Sequence, residues 1–129
     1  MIVYQEKEHI KTDYGIDFNI SANFPTYHGH MFWEFIFAFT PVTHLLNGKE
    51  YFTEKNTIIV IKPGDFHSFY HCKEKIGQIN VKITDEKLKE LCSIFDDDVY
   101  SFLHNLPTVK LSMITNQNFG NMILSICNT

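Results

Sequence analysis

Apolar and polar residues alternate over most of the first 83 positions of this chain, in short runs that end at turn-forming residues. These runs lie at positions 16–21, 42–46, 49–52, 66–72 and 78–83, and positions 58–61 form a continuous apolar run that predicts a fully buried strand. Short alternating runs between turn residues are typical of antiparallel strands. The pair Asn47-Gly48 predicts a two-residue hairpin, because both residue types tolerate the positive φ angles of a type I′ turn. Several such strands predict a mainly β domain, either a sandwich or a closed barrel.

The longest run extends from about Tyr27 to Thr40, and we expect it to form one strand that is apolar on both sides. Side chains alternate between the two faces of a strand. One face would carry His30, Phe32, Glu34, Ile36 and Ala38, and the other Met31, Trp33, Phe35, Phe37 and Phe39. A strand buried on both faces lies inside a layered domain. We therefore expect this strand at the centre, with further structure packed on its outer aromatic side.

The hydrophobic period lengthens after Ile83. Apolar residues then recur at helical spacing in three stretches, at 88–95, 99–106 and 119–126. Thr84 or Asp85 precedes the first stretch and is the expected N-cap, since short polar side chains accept hydrogen bonds from the first helical turn. The chain therefore divides into a β domain at residues 1–83 and a helical segment at residues 84–129.

Composition narrows the range of functions. The net charge is −4, and all eleven basic residues are lysine. Because no basic stripe is present to meet phosphates, we do not expect these residues to bind nucleic acid by themselves. The apolar runs are too short to cross a bilayer and no signal-peptide pattern opens the chain, so we expect a cytoplasmic protein without membrane association. Three widely spaced cysteines form no disulfide or zinc-ribbon pattern.

Candidate chemistry lies in the central run and in the turn after it. His28, His30 and Glu34 would share one face of a single strand, and His67 follows the turn Pro63-Gly64-Asp65. Imidazole and carboxylate together suit zinc, iron, nickel or manganese. The spacing alone leaves a second interpretation open, in which these side chains form a hydrogen-bonded polar wall around an organic ligand or water. We expect His44 and His71 to be edge or surface residues, and no residues indicate nucleophilic catalysis.

The same positions resemble the two motifs of the cupins, which are small jelly-roll β-barrels. In the first motif His28, His30 and Glu34 match, and Pro41 stands where glycine is expected. In the second motif Gly64 and His67 match, while Asn56, Lys62 and His71 replace glycine, proline and asparagine. The resemblance implies a cupin double-stranded β-barrel followed by C-terminal helices. The departures fall at turn positions, where asparagine also tolerates positive φ.

The segments HGHMFWEFIFAF, NGKEYF and PGDFHSF further resemble the sensor domain of AraC-type transcription regulators. That resemblance implies a non-enzymatic domain that binds a small effector, a sugar or related metabolite, at His28, His30, Phe32, Glu34, Ile36 and His67. It also implies a homodimer through the helices in 84–129, and DNA binding only through a C-terminal helix-turn-helix domain missing from this sequence. A divalent metal at His28, His30, Glu34 and His67 is not expected from this resemblance alone. The alternatives are a small metal-dependent cupin enzyme, of isomerase or dioxygenase type, and a stand-alone binding protein.

Overall fold

The computed structural model describes residues 2–5, 9–10, 15–21, 23–54, 57–71, 77–95, 97–105 and 110–112. The strands in these residues are β1 (Ile2–Tyr4), β2 (Ile16–Ser21), β3 (Asn23–His30), β4 (Trp33–Ala38), β5 (Val42–Leu46), β6 (Lys49–Thr53), β7 (Thr57–Ile61), β8 (Phe66–His71), β9 (Gln78–Ile83) and β10 (Lys110–Ser112). The helices are α1 (Asp85–Phe95) and α2 (Asp97–His104).

The strands form two five-stranded sheets that enclose the core. The first has the order β1-β3-β8-β5-β6 and the second the order β10-β7-β4-β9-β2. β1 pairs with β3 in parallel, whereas β3, β8, β5 and β6 pair antiparallel, as do the strands of the second sheet. β7 is buried along its whole length, which fits its apolar sequence TIIVI. The predicted mainly β class is confirmed.

The expected single central strand is wrong. The chain bends at Met31 and Phe32, so that β3 ends at His30 in the first sheet and β4 begins at Trp33 in the second. Consequently His28 and His30 do not share a strand face with Glu34. They lie on opposite sheets, and the alternation pattern did not reveal the bend because Phe32 is buried, as are His30 and Glu34 two positions to either side.

The predicted hairpin between β5 and β6 is confirmed. Asn47 and Gly48 have φ angles of 49° and 82°, as a type I′ turn requires. The Asn47 side chain also reaches the turn before β8, where its Nδ2 donates to Asp65 Oδ1 (3.0 Å) and its Oδ1 accepts from Phe66 N (2.8 Å). The two turns are therefore fixed to each other at the start of β8.

The helices follow β9, and they cover the outer side of β4. Thr84 is the N-cap of α1, since its Oγ1 accepts from Lys87 N at 3.1 Å. Trp33 is fully buried beneath the helices, and its Nε1 donates to Asp85 Oδ1 at 2.9 Å. Tyr100 of α2 donates to the same carboxylate oxygen at 2.6 Å. The predicted third helix, at 119–126, lies outside the described residues.

The two helices that the structure describes both lack the length and apolar character needed to span a membrane.

Candidate metal and ligand site

Three buried imidazoles converge in the interior of the barrel. β3 and β8 are neighbours, and His28 lies directly opposite His67 in their register. One ring nitrogen from each of His28, His30 and His67 lies within 4.8 Å of the other two. His30 Nε2 and His67 Nε2 are 3.2 Å apart. The sheet pairing thus brings together side chains that are 37 residues apart in sequence.

The other ring nitrogen of each histidine is held by a hydrogen bond. His28 Nδ1 donates to Thr26 O at 2.8 Å, and His30 Nδ1 donates to Phe32 O at 2.9 Å. Since these carbonyl oxygens only accept, they select the tautomer that leaves a lone pair on Nε2. His67 Nδ1 lies 2.9 Å from His44 Nε2. A hydrogen bond to the outer nitrogen is the usual arrangement around metal-binding histidines, because it orients the ring.

Burial keeps the three imidazoles neutral. Desolvation lowers the pKa of His30 to about 4, although the hydrogen bond to Phe32 opposes the shift. Desolvation also lowers the pKa of His28, and it lowers the pKa of His67 well below its usual value, with further lowering from the neighbouring histidines. Neutral imidazole is the form that binds a metal ion.

Glu34 approaches the histidines from the opposite sheet. Its Oε1 lies 3.7 Å from His67 Nε2, and its side chain is buried. Desolvation raises the pKa of this carboxyl to about 7, although the positive charge of Lys82 acts in the opposite direction. The carboxyl group therefore changes its charge near neutral pH in the absence of an ion.

Local sequence features position the histidines. An ideal Cβ on Gly29 would lie 2.7 Å from the ring of Phe66, so only glycine lets that ring lie over β3 at this point. Gly64, with a φ of 90°, donates its backbone N–H to His30 O at 2.9 Å. The turn before β8 is thereby tied to the end of β3, which places His67 beside His30.

A cavity of about 80 Å³ opens next to these side chains. Of the predicted site residues, His28, His30, Phe32 and Glu34 border it. Phe32 stacks on the His30 ring, with 4.2 Å between ring centroids. His67 is fully buried among the other three polar groups. Ile36 is also fully buried, but it belongs to the apolar core and does not line the cavity.

The expectation that His44 is an edge or surface residue is wrong. β5 lies between β8 and β6, and His44 is only 2% exposed. Its ring stacks on that of His67, with 5.1 Å between centroids. The alternation in β5 indicated that His44 is buried, because His44 lies on the same face of the strand as Val42 and Leu46, which are both buried. The side chain of His71 lies outside the described residues.

Seven cavity-lining residues were not predicted from the sequence. They are Tyr4, His9, Asn19, Phe24, Phe69, Asn80 and Lys82. Asn80 and Lys82 lie on the same face of β9, in the sheet that carries Glu34. A lysine inside an otherwise buried run was a signal that could have identified this wall. Tyr4 and His9 reach the cavity through tertiary packing, and no local sequence pattern indicated that they line it.

Comparison with known proteins identifies the fold. No protein-family model and no curated protein matches this chain. The cupin domain of Cnp3 from Schizosaccharomyces pombe is similar in structure, with a TM-score of 0.51 and 11% identity over 67% of this chain and 69% of that one. Protein NMB1881 from Neisseria meningitidis gives a TM-score of 0.46 and 12% identity, over 57% of this chain and 78% of the other. The plu4264 protein of Photorhabdus luminescens gives 0.38 and 14%, over 70% and 65%.

The likeness to the Cnp3 domain, together with the two facing sheets, shows that the chain has a cupin-type fold.

Proposed function

We propose that this chain is a cytoplasmic ligand-sensing domain in which His28, His30, His67 and Glu34 hold one divalent metal ion beside a small effector. The observation that carries the metal site is the convergence of three buried ring nitrogens within 4.8 Å. The hydrogen bonds on the outer nitrogens support it further, because they orient each ring before any ion binds. This geometry outweighs the weaker expectation drawn from the resemblance alone.

The separation of the His30 and His67 donor atoms fits a first-row divalent ion. Two nitrogens bound to one tetrahedral zinc ion at 2.0–2.1 Å lie about 3.3 Å apart. His30 Nε2 and His67 Nε2 are already 3.2 Å apart. Three imidazoles and one carboxylate also suit iron, nickel and manganese. A bound ion would act as a Lewis acid toward an oxygen atom of the effector.

Calorimetric titration with zinc, manganese and nickel tests the metal site. We expect one site per chain, and we expect His30→Gln to lower the affinity by more than about a hundredfold, because it removes a ligand and a ring that stacks on Phe32. His104→Gln is the matched control, since His104 is exposed on α2. Equal affinities for the wild type and His30→Gln would refute the site, and so would an equal loss in His104→Gln.

Regulation of transcription is the finer part of the proposal. The AraC-like segments around His28, Asn47 and His67 support it, because they form the paired turns and the imidazole cluster. The absence of arginine and the charge of −4 fit a domain that leaves DNA contact to another part of the protein. The reading frame that encodes this chain provides the test. Two helix-turn-helix units after residue 129 are expected, and an unrelated domain there would contradict the regulator role.

Dimerisation through the helical segment completes the proposal. Ile94, Val99 and Phe102 on the two helices are 66%, 41% and 58% exposed. Pairing equivalent helices about a two-fold axis is a common way to bury such side chains. Phe102→Asp should give a monomer in sedimentation velocity at tens of micromolar, where the wild type should be a dimer. Phe52→Asp is the control, because Phe52 is equally exposed but lies on β6. A monomeric wild type would exclude the dimer.

A small metal-dependent enzyme is the second candidate. The observation that favours it is the convergence of three buried histidines and one carboxylate, since an ion bound there would act as a Lewis acid toward a substrate oxygen. A reading frame that stops at residue 129, in a protein that binds a metal ion, would favour this candidate over the sensor.

A further inference from the structure

Lys82 places a positive charge in the wall of the cavity. It lies on β9 directly opposite Glu34 on β4, and its side chain borders the cavity. Its positive charge lowers the pKa values of Glu34, His28 and His30. Within the part of the chain that the structure describes, its side chain forms no hydrogen bond or ion pair.

The charges around the cavity do not balance once an ion is present. Glu34 is the sole acid among the described residues that line the cavity. Its carboxylate would bind the ion, since Glu34 Oε1 already lies 3.7 Å from His67 Nε2. Neutral histidines offset none of the ion's charge. Asp17 lies opposite Lys82 in the register of β2 and β9, and its carboxylate would offset one positive charge. Lys82 and the ion would then leave a surplus of one positive charge in a partly open cavity, which is costly unless an anion enters.

The remaining walls define the size and shape of that anion. The rings of Phe24, Phe32 and Phe69 form the apolar part of the lining. Asn80 lies two residues from Lys82 on the same wall, and its Oδ1 accepts from Gln78 Nε2 at 2.6 Å, which fixes the amide. A volume of about 80 Å³ corresponds to roughly three water molecules at their volume in the liquid, so only a small molecule fits. A short apolar body with one charged end fills this space.

We propose that the effector is a small carboxylic acid, whose carboxylate is bound by the ammonium group of Lys82 and whose apolar body lies against the phenylalanine rings. This inference rests on the proposed function in one respect, because the ion supplies the second positive charge. A neutral sugar would leave the surplus of positive charge uncompensated, and it would place hydroxyl groups against the aromatic wall. The proposal therefore favours a short acid over the sugar that the resemblance implies.

Butyrate and butyramide provide a matched pair of probes, since they have nearly the same shape and differ in charge. Binding to the zinc-loaded chain is followed by NMR chemical-shift titration at physiological salt. We expect butyrate to bind at least about tenfold more tightly than butyramide. Lys82→Met should weaken butyrate binding by roughly ten- to a hundredfold, the usual effect of losing a hydrogen bond to a charged group. It should leave butyramide binding unchanged.

Two further variants test whether butyrate binding depends on the positive charge of Lys82 itself. Lys82→Arg keeps the positive charge and should keep the preference for butyrate. Lys49→Met removes the same charge from the exposed hairpin strand β6, and it should have no effect. The proposal is overturned if butyrate does not bind, if both probes bind equally, or if Lys82→Met binds butyrate as the wild type does.

The same titration on the metal-free chain separates this proposal from the metal site. Butyrate binding that depends on Lys82, in a chain that does not bind zinc, would support the carboxylate site and refute the metal site. Zinc binding without any preference for butyrate would refute the carboxylate site and leave the metal site intact.

Discussion

Replacing His44 by phenylalanine tests whether the metal site depends on a residue that would not touch the ion. When His67 Nε2 binds a metal ion, its proton must be on Nδ1, and His44 Nε2 at 2.9 Å must accept it. Phenylalanine keeps the ring that stacks on His67 at 5.1 Å, but it has no acceptor. The variant therefore removes one hydrogen bond and little packing.

The expected loss has two measurable parts. Removing the partner of a metal-binding histidine lowers metal affinity by about 10- to 100-fold. Leaving the buried Nδ1 of His67 without a hydrogen-bond partner costs about 1–3 kcal/mol of folding free energy. Zinc affinity is measured by competition with a chromophoric chelator, and the free energy of unfolding by urea denaturation of the metal-free chain.

His44→Gln is the informative control, because its Oε1 is an acceptor and a glutamine is similar in length. We expect it to retain most of the zinc affinity that His44→Phe loses. Unchanged zinc affinity in His44→Phe would refute the reasoning. Equal losses in both variants would show that ring packing, and not the hydrogen bond, holds His67 in place.

Three further predictions concern the frame around the site. Gly29→Ala should destabilise the chain by about 1–3 kcal/mol in urea denaturation, because the new Cβ would lie 2.7 Å from the ring of Phe66; wild-type stability would contradict this. Lowering the pH from 6.5 toward 4 should destabilise the metal-free protein, because burial lowers the pKa of three histidines (to about 4 for His30) and the unfolded chain binds their protons first. The raised pKa of Glu34, about 7, opposes this effect for one group only; melting temperatures that do not change with pH would argue against the prediction. Asp85→Ala should lower the free energy of unfolding by about 1–3 kcal/mol, because it leaves the buried Trp33 Nε1 without its acceptor, and Asp85→Asn should lower it less. Equal stabilities of the two variants would exclude Asp85 as the acceptor that stabilises Trp33.

Local patterns in the sequence predicted the elements that local chemistry controls. The Asn47-Gly48 hairpin follows from the φ angles that these two residues tolerate. The start of α1 follows from a single hydrogen bond accepted by Thr84. The expectation that something packs on the outer face of the central run was also correct, because Trp33 could not remain exposed and is covered by α1 and α2.

Long-range pairing was beyond the reach of the same patterns. The bend at residues 31–32 keeps the alternation of buried residues intact while it moves the chain from one sheet to the other. The sequence correctly indicated that His30 and Glu34 lie near each other. The predicted reason, a shared strand face, was wrong, because the two residues face each other from different sheets. His44 and Lys82 were missed because their neighbours in the barrel are set by strands far away in sequence, β8 for His44 and β4 for Lys82.

An anomalous difference map from a crystal of the zinc-loaded chain, recorded above the zinc absorption edge, tests the central claim most directly. We predict one strong peak per chain, within bonding distance of the Nε2 atoms of His28, His30 and His67 and beside the carboxylate of Glu34. A peak at other side chains, or no peak in a chain that carries stoichiometric zinc, would contradict the proposed metal site.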